Sequence, residues 1–259
     1  MLDIKSNILI LGGTGFLGSH LSFYLLEKGY RVTVLGRSKK GIKLSDRMSC
    51  LTSWFEPSAN ILQNLTIIEG DVTSEKFGLS MAEYNELCSS TDEILHCLSN
   101  TSFSESKRDI VLRSNVDTLD SILKFAVDSE CSRFHYISTA YAAGITEGLC
   151  YEQPINQDSF NNVYEESKAR AESIITDFFK ARTTDLNIIR PSIIYGDSVT
   201  GKSNKFNALY YPVRSLKHIR DIYLNDYNSG GEECKKNGFH IDDNKLFNMP
   251  VKLTLKKNG

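Results

Sequence analysis

The sequence has little that would mark a secreted, metal-binding or membrane-spanning protein. Its six cysteines are scattered and form no CxxC pair, which argues against a disulfide scaffold or a zinc site and favours a reducing, cytoplasmic compartment. The five histidines lack metal-ligand spacing, so we expect no bound metal. No apolar run approaches the roughly 20 residues that a spanning helix needs. The net charge of -2 gives no reason to expect nucleic acid or a membrane as partner.

What the chain does contain is a regular alternation of short apolar runs and helical patterns. Short continuous apolar runs are typical of parallel strands that are buried on both faces. The predicted strands are 7–12, 31–35, 65–68, 93–97, 134–138 and 186–189, and the clearest helices are 16–28, 107–129 and 162–181. This order indicates an α/β fold, a Rossmann-type doubly wound parallel sheet with helices on both faces. Beyond residue 197 the periodicity is weak, so we predict a Rossmann domain, 1–196, and a smaller region, 197–259.

A glycine-rich turn joins the first predicted strand to the first predicted helix. Gly12 permits a tight turn, Gly15 lets the backbone approach a pyrophosphate, and Gly18 lets helix and strand pack closely. The pyrophosphate would meet the free N–H groups at the start of the helix. Because the glycines follow a strand and open a series of βαβ units, we predict dinucleotide binding. The alternative is that they make a tight turn and nothing more.

The end of the second predicted strand indicates which dinucleotide is bound. An NAD site usually places an acidic residue here, on the ribose 2′-hydroxyl, but residues 36–40 contain no carboxylate. Gly36 leaves room, and Arg37 can bind a 2′-phosphate with two parallel hydrogen bonds. One charged hydrogen bond is worth about 1.5–3 kcal/mol, roughly a ten- to hundredfold preference, so we predict NADPH. The alternative is a solvated basic turn.

Tyr164 and Lys168 are four residues apart at the start of a predicted helix and therefore share one of its faces. A nearby ammonium stabilises phenolate and would lower the pKa of Tyr164 toward neutrality. Such a tyrosine can donate a proton to a carbonyl oxygen while hydride reaches the carbon. The strand that ends at Ser138 and Thr139 brings hydroxyls to the same edge of the sheet, where either can polarise that carbonyl. A tyrosine–lysine pair alone is a weak signal, and a strand-end turn is the alternative for the hydroxyls.

These segments resemble the extended short-chain dehydrogenase/reductases over about residues 7–201. The resemblance is carried by GGTGFLG (12–18), GDV (70–72), ISTAY (137–141), NVYEESK (162–168) and RPSIIYG (190–196). It implies a catalytic Thr139, Tyr164 as proton donor, and Lys168 binding the nicotinamide ribose. It places Asp71 and Val72 beside the adenine, Asn115 in support of the active site, and residues 191–193 beside the nicotinamide. The full set of implied cofactor contacts, besides Tyr164 and Lys168, is Gly12, Thr14, Gly15, Phe16, Leu17, Gly18, Arg37, Asp71, Val72, Asn115, Ser138, Pro191, Ser192 and Ile193.

Within that family, residues 138–144 and 196–201 look more like the thioester reductase and fatty acyl-CoA reductase branch. That branch reduces an acyl thioester, held on CoA or on a carrier protein, with NADPH, and releases an aldehyde or an alcohol. The resemblance therefore implies an acyl-thioester or other small carbonyl substrate, an acyl or peptidyl carrier protein as partner, and a monomer or homodimer. Two alternatives stay open: a nucleotide-sugar epimerase or dehydratase, and an NADP(H)-binding sensor or scaffold.

The sequence departs from the family pattern in three places. Leu98-Ser99 stands where two alanines are usual, and Thr118-Leu119 stands where a glycine and a threonine are usual. Both changes touch packing near the expected cofactor and are expected to weaken its binding. The sequence also ends where the family begins its last pocket elements, so we expect 197–259 to be a small, incomplete substrate-binding region. A fragment, a truncated product and a naturally short member all stay open.

Overall fold

A computed structural model describes residues 5–155, 158–203, 210–242 and 246–248 of the chain. The chain divides into two compact units, 1–194 and 195–259. Of the predicted C-terminal region, residues 204–209, 243–245 and 249–259 lie outside the described residues. Across the part that is described, no helix combines the length and the apolar character that a bilayer crossing would require.

A parallel sheet of six strands forms the centre of the first unit. Its strands are β1 (Asn7–Leu11), β2 (Arg31–Gly36), β3 (Leu65–Glu69), β4 (Glu93–His96), β5 (Arg133–Ile137) and β6 (Asp185–Ile189). Their spatial order is β3-β2-β1-β4-β5-β6, and every neighbouring pair is parallel. The direction of winding reverses between β1 and β4, as in a Rossmann fold. The predicted α/β fold class is confirmed.

Helices cover both faces of this sheet. They are α1 (Phe16–Glu27), α2 (Leu44–Phe55), α3 (Ala59–Leu62), α4 (Met81–Ser90), α5 (Arg108–Leu112), α6 (Leu119–Asp128) and α7 (Val163–Phe179). Ile8 and Ile10 of β1 belong to an apolar cluster with residues of α1 and α2. Leu9 and Leu11 belong to a second cluster with residues of α4, α6 and α7. All of β1 is buried because each face is covered, and the site that follows it therefore starts from a rigid strand.

The predicted single helix 107–129 is divided by a π-helical turn. The turn, Arg113–Asp117, lies between α5 and α6, and it contains the buried Asn115. A π turn inserts one extra residue, and such turns are frequent at functional sites. The apolar spacing on either side is still that of a helix, so the sequence pattern could not reveal the insertion.

The described residues of the second unit form two helices and a short antiparallel strand pair. Its elements are α8 (Tyr210–Asn228), α9 (Glu232–Lys236), β7 (His240–Ile241) and β8 (Phe247–Asn248). The rings of Tyr223 and Phe239 stack with centroids 3.7 Å apart, and Phe239 also stacks on Phe247 at 5.9 Å. None of the residues of α8 is buried, and the sequence beyond residue 197 shows no clear strand–helix alternation.

Candidate active site

The predicted site residues follow the carboxyl ends of the strands, where ligands of open α/β sheets bind. The glycine turn follows β1, and Arg37 follows β2. Ser138 and Thr139 follow β5 directly. The backbone N–H of Ser138 donates to the carbonyl oxygen of Ile189 at 2.8 Å, which holds the ends of β5 and β6 side by side. The topology thus brings segments that are distant in sequence to one edge of the sheet.

The glycine turn is closed so tightly that side chains would not fit at two of its positions. Gly12 has a φ of +95°, and a Cβ there would lie 2.7 Å from the backbone nitrogen of Leu98. A Cβ on Gly18 would lie 2.3 Å from the carbonyl oxygen of Gly12. Gly15 is the N-cap of α1 and offers no side-chain hydrogen bond, and the first turn of α1 carries no acidic residue. The start of α1 is therefore suited to a bound pyrophosphate, whose charge it would stabilise.

Ser138 provides a second observation that fits a bound cofactor. Its side chain is 3% exposed, and its hydroxyl oxygen has no hydrogen-bond partner among the described residues. Burying a hydroxyl without a partner costs free energy, so a polar ligand at the end of β5 would stabilise this arrangement. The residues present therefore fit a nicotinamide dinucleotide along the carboxyl edge of the sheet.

Arg37, predicted to bind a 2′-phosphate, and Asp71, predicted to border the adenine, lie together. The Arg37 guanidinium donates to the Asp71 carboxylate at 3.2 Å, and its side chain is 69% exposed. Burial acts to raise the pKa of Asp71, but hydrogen bonds from Thr73 and from Arg37 outweigh it and hold the pKa below its usual value. Val72 is buried, and its carbonyl oxygen accepts a hydrogen bond from the hydroxyl of Ser121 on α6. The ends of β2 and β3 are thereby fixed to each other and to α6.

Arg47 is a basic residue of this site that the sequence reasoning missed. It lies in the first turn of α2, and its guanidinium donates both to the hydroxyl of Thr14 and to the carbonyl oxygen of Arg37, the latter at 3.1 Å. It therefore joins the glycine turn to the end of β2. The chain turns back between Lys39 and Ile42, which pair with each other through their backbones. The sequence shows an arginine about ten residues after the second predicted strand. Only the turn between Lys39 and Ile42 brings that arginine back to Thr14.

The helix that carries Tyr164 and Lys168 is capped by Asn162. The Asn162 side chain accepts a hydrogen bond from the backbone N–H of Glu165 at 3.1 Å. The carboxylate of Glu165 in turn accepts from the backbone N–H of Asn161 at 2.9 Å. This local network fixes the first turn of α7, and with it the direction in which Tyr164 points.

Tyr164 and Thr139, predicted from separate segments, meet in the structure. The Thr139 hydroxyl accepts from the backbone N–H of Tyr141 at 3.2 Å and lies beside the Tyr164 phenol. Burial raises the pKa of Tyr164, and the neighbouring Thr139 hydroxyl lowers it in part, so that the pKa lies above its usual value. The sequence predicted a shift in the opposite direction, caused by Lys168, and that prediction was wrong. Desolvation outweighs the expected effect of the ammonium, and a neutral phenol is the form that can donate a proton.

Lys168 is buried below Tyr164 on α7. Its ammonium donates to the carbonyl oxygen of Ile137 at 2.6 Å and to the hydroxyl of Tyr136 at 3.1 Å. Burial lowers the pKa of Lys168 to about 8, while Cys97 and Glu172 act to raise it. The ammonium can therefore lose its proton near neutral pH, which an exposed lysine does not do.

Asn115 connects the π turn to the loop after β4 and to α7 through hydrogen bonds. Its side-chain oxygen accepts from the backbone N–H of Asn100 at 2.7 Å, and its amide nitrogen donates to the hydroxyl of Ser167 at 2.9 Å. Ser167 in turn donates to the carbonyl oxygen of Tyr164 at 2.8 Å. The predicted supporting residue therefore links the loop after β4 to the first turn of α7.

An aromatic wall, formed by Phe103 and Tyr141, stands beside Tyr164. The ring of Phe103 stacks on that of Tyr164 with centroids 5.6 Å apart, and the edge of Tyr141 meets Phe103 at 6.1 Å. Phe103 is 52% exposed and Tyr141 is 41% exposed, so both present apolar surface at the opening of the site. The sequence reasoning missed Phe103 because it lies in an irregular loop that only the fold brings to α7.

The remaining predicted contacts lie at the rim of the site. Phe16 and Leu17 open α1 and are partly buried. The carbonyl oxygen of Pro191 accepts from the backbone N–H of Ala140 at 2.9 Å, which keeps the segment after β6 beside Thr139. Ser192 is exposed and Ile193 is partly buried.

Leu98-Ser99 and Thr118-Leu119, the two pairs that depart from the family pattern, fit their surroundings. Leu98 packs against the apolar cluster of the α4, α6 and α7 face, and Leu119 is fully buried there. The Thr118 hydroxyl donates to the carbonyl oxygen of Ser114 at 3.0 Å. Their expected effect on cofactor affinity stays a prediction.

Comparison with known proteins identifies the family. Residues 10–228 match the NAD-binding family described as Male sterility protein. The chain belongs to this family. The matched segment includes the glycine turn, Thr139, Tyr164 and Lys168, so the predicted resemblance to the fatty acyl-CoA reductase branch is confirmed.

Several similar proteins and solved structures are longer than this chain, which matches only part of each. It is 29% identical over 198 residues to the hybrid PKS-NRPS synthetase pvhA of Talaromyces variabilis, which covers 75% of this chain and 4% of that protein. It is 32% identical over 145 residues to fatty acyl-CoA reductase 1 of Rattus norvegicus, which covers 52% of this chain and 28% of that protein. The crystal structure of the terminal R domain from the myxalamid PKS-NRPS pathway matches with a TM-score of 0.72 and 24% identity. That match covers 82% of this chain and 56% of the R domain, so the chain spans only part of each protein.

Proposed function

We propose that this chain is an NADPH-dependent reductase that transfers hydride to the carbonyl carbon of an acyl thioester. The observation that carries the proposal is the meeting of Tyr164 with Thr139 at the end of β5, with the buried Lys168 one helical turn away. These groups lie on the same sheet edge as a glycine turn suited to a dinucleotide. Fatty acyl-CoA reductase 1 of the rat, a family relative, supports the choice of a thioester through its name.

The residues present can carry out the reduction by positioning and proton donation. Tyr164 and Thr139 hydrogen-bond the thioester carbonyl oxygen and polarise it, which stabilises negative charge on that oxygen as it develops. When bound, NADPH would supply hydride to the carbonyl carbon. Tyr164 would give its proton to the oxygen, and the resulting hemithioacetal would pass its hydroxyl proton to the departing thiolate, leaving an aldehyde and a thiol. The Lys168 ammonium would hold the ribose through its N–H donors.

The aromatic wall favours an apolar acyl group next to the reacting carbonyl. Phe103 and Tyr141 are both exposed beside Tyr164, where they can cover the first carbons of an acyl chain. The thiol portion is CoA or the phosphopantetheine of a carrier protein. The PKS-NRPS relatives support the second source, since such synthetases are multidomain proteins of which this chain matches a small share.

The choice of NADPH is proposed from two arginines. Arg37 is exposed beside the end of β2, and Arg47 connects that strand end to the glycine turn. Residues 36–40 carry no carboxylate, and the Asp71 carboxylate that pairs with Arg37 comes from the segment after β3. Two guanidinium groups at one ribose would favour a phosphate over a hydroxyl through charged hydrogen bonds.

Replacing Arg47 or Arg37 with alanine tests this choice. Each substitution is expected to raise the Kd for NADPH by about ten- to hundredfold while changing that for NADH less than about twofold, because each removes a charged hydrogen bond to the 2′-phosphate. Arg31→Ala is the matched control, since Arg31 is exposed at the opposite end of β2. Titration of cofactor fluorescence gives both constants. Equal losses for NADPH and NADH would contradict the proposed preference.

The reductase activity itself is tested with purified protein, NADPH and a series of thioesters. Acyl-CoA and acyl-pantetheine substrates of several chain lengths are expected to oxidise NADPH and to release thiol and aldehyde in equal amounts. The corresponding free acids should give no turnover because they lack a thiol leaving group. Tight NADPH binding without turnover of any thioester or carbonyl would instead favour a sensor. Interconversion of a nucleotide sugar without net loss of cofactor would favour an epimerase.

A further inference from the structure

Tyr136 contacts the Lys168 ammonium with both its hydroxyl oxygen and its ring. The ammonium lies 3.1 Å from the Tyr136 hydroxyl and 4.4 Å from the centroid of its ring. Both side chains are almost fully buried: Tyr136 is 1% exposed and Lys168 is 2% exposed. Contact of one cation with both the oxygen and the face of a single tyrosine is more than general core packing requires.

The buried ammonium needs these contacts because it has lost its water. An ammonium carries three N–H donors, and two of those of Lys168 are used, on the Tyr136 hydroxyl and on the Ile137 carbonyl oxygen. Both acceptors come from adjacent residues of β5. They fix the position of the ammonium along the strand and leave one donor for a group at the site.

Other titratable groups also face Tyr136 and Lys168. The titratable residues that face the pair are His96 of β4, Cys97 after β4, and Tyr164 and Glu172 of α7. Burial and the charge of Lys168 lower the pKa of His96 to about 3, so His96 is neutral. Glu172 is engaged by Arg190, which contacts both of its carboxylate oxygens, at 3.0 Å and 2.6 Å. Burial raises the pKa of Tyr136 well above its usual range, so it is a neutral phenol that can accept from the ammonium.

We propose that Tyr136 is a positioning residue, whose phenol oxygen and ring hold the Lys168 ammonium in place on the catalytic face of α7. This rests on the proposed function, in which Lys168 binds the ribose. Tyr136 does not itself touch the reacting atoms. It acts by keeping Lys168 charged and by fixing the direction of its remaining N–H donor.

Tyr136→Phe is the test, because it keeps the ring and removes the oxygen. Without one acceptor the charged form of Lys168 is less stable, so the alkaline limb of kcat/KM for NADPH is expected to move down by about one pH unit. The Kd for NADPH is expected to rise by about three- to tenfold. Tyr84→Phe is the matched control, since Tyr84 is also a buried tyrosine whose hydroxyl bonds to a side chain, that of Asp128 at 2.8 Å. Tyr84→Phe should lower the melting temperature and leave the pH of the alkaline limb unchanged.

Two further measurements keep the outcomes distinct. If Tyr136→Phe does not fold, 3-fluorotyrosine introduced at position 136 alone gives a weaker acceptor of the same shape, and it should move the limb in the same direction. If no thioester is reduced at all, the proposed function fails, yet the pKa of Lys168 can still be measured by NMR titration of protein labelled with ¹³C at lysine Cε, with Lys168→Met assigning the signal. In that assay Tyr136→Phe should lower it by about one unit. An unchanged pKa and unchanged NADPH affinity, with only a lower melting temperature, would overturn the role of Tyr136.

Discussion

Tyr164→Phe is expected to lower kcat by about 10²–10⁴-fold, the usual contribution of a general acid. The variant keeps the ring that stacks on Phe103 and removes only the hydroxyl that lies beside Thr139. Because Thr139 retains its bond from the Tyr141 backbone, folding should be nearly unaffected, with a loss of about 0.5–1.5 kcal/mol in the free energy of unfolding. Initial rates of NADPH oxidation with a saturating thioester measure the effect.

The control for this prediction separates chemistry from binding. The Kd for NADPH should change less than about threefold, since the affinity for the cofactor comes mainly from the glycine turn and the arginines. Tyr24→Phe, which alters an exposed residue of α1, should leave kcat unchanged. A Tyr164→Phe variant that kept more than a tenth of the activity would show that another group supplies the proton.

The second large effect is a loss of activity at alkaline pH that depends on Lys168. Burial lowers the pKa of Lys168 to about 8, so the side chain is an ammonium below that pH and a neutral amine above it. The function proposed for Lys168 needs the charge. We therefore expect kcat/KM for NADPH to be highest below about pH 8 and to fall roughly tenfold per pH unit above it. Tyr164 stays protonated in this range because burial raises its pKa.

Lys168→Met should remove this dependence together with most of the activity. The substitution keeps an unbranched side chain but leaves the Tyr136 hydroxyl and the Ile137 carbonyl oxygen without this donor, so the melting temperature should fall modestly while kcat/KM falls by at least about 10²-fold. Lys124→Met, at an exposed position of α6, is the matched control and should retain both the activity and the alkaline limb. An alkaline limb that persisted near pH 8 in Lys168→Met would assign the titration to another group.

Much of the fold and part of the site could be predicted because they depend on local patterns. The strand and helix alternation gave the six strands to within a residue or so at each end, since short apolar runs mark the buried central strands and also the partly exposed edge strands β3 and β6. The glycine turn was recognisable because its spacing meets steric requirements, which the near contacts at Gly12 and Gly18 show directly. The shared face of Tyr164 and Lys168 follows from helical geometry alone.

Local sequence patterns did not predict the contacts of Arg47, Phe103 and Tyr136. Arg47 reaches Thr14 across the turn after β2, and Phe103 reaches Tyr164 from an irregular loop. Tyr136 resembles any other apolar strand residue in the sequence, yet its hydroxyl meets Lys168 from a different element. Each of these contacts joins residues more than 30 positions apart, beyond the range of any periodic pattern.

The sequence by itself determined the order of the elements, the glycine turn and the shared helix face of Tyr164 and Lys168, because these depend on spacing along the chain. Tertiary structure decided the state of charge in the site. It raised the pKa of Tyr164, where the sequence predicted a decrease, and it lowered that of Lys168 to about 8. The physical reason is desolvation: the free energy of a charge depends on how much water the surrounding elements exclude, and those elements come together only in the folded protein.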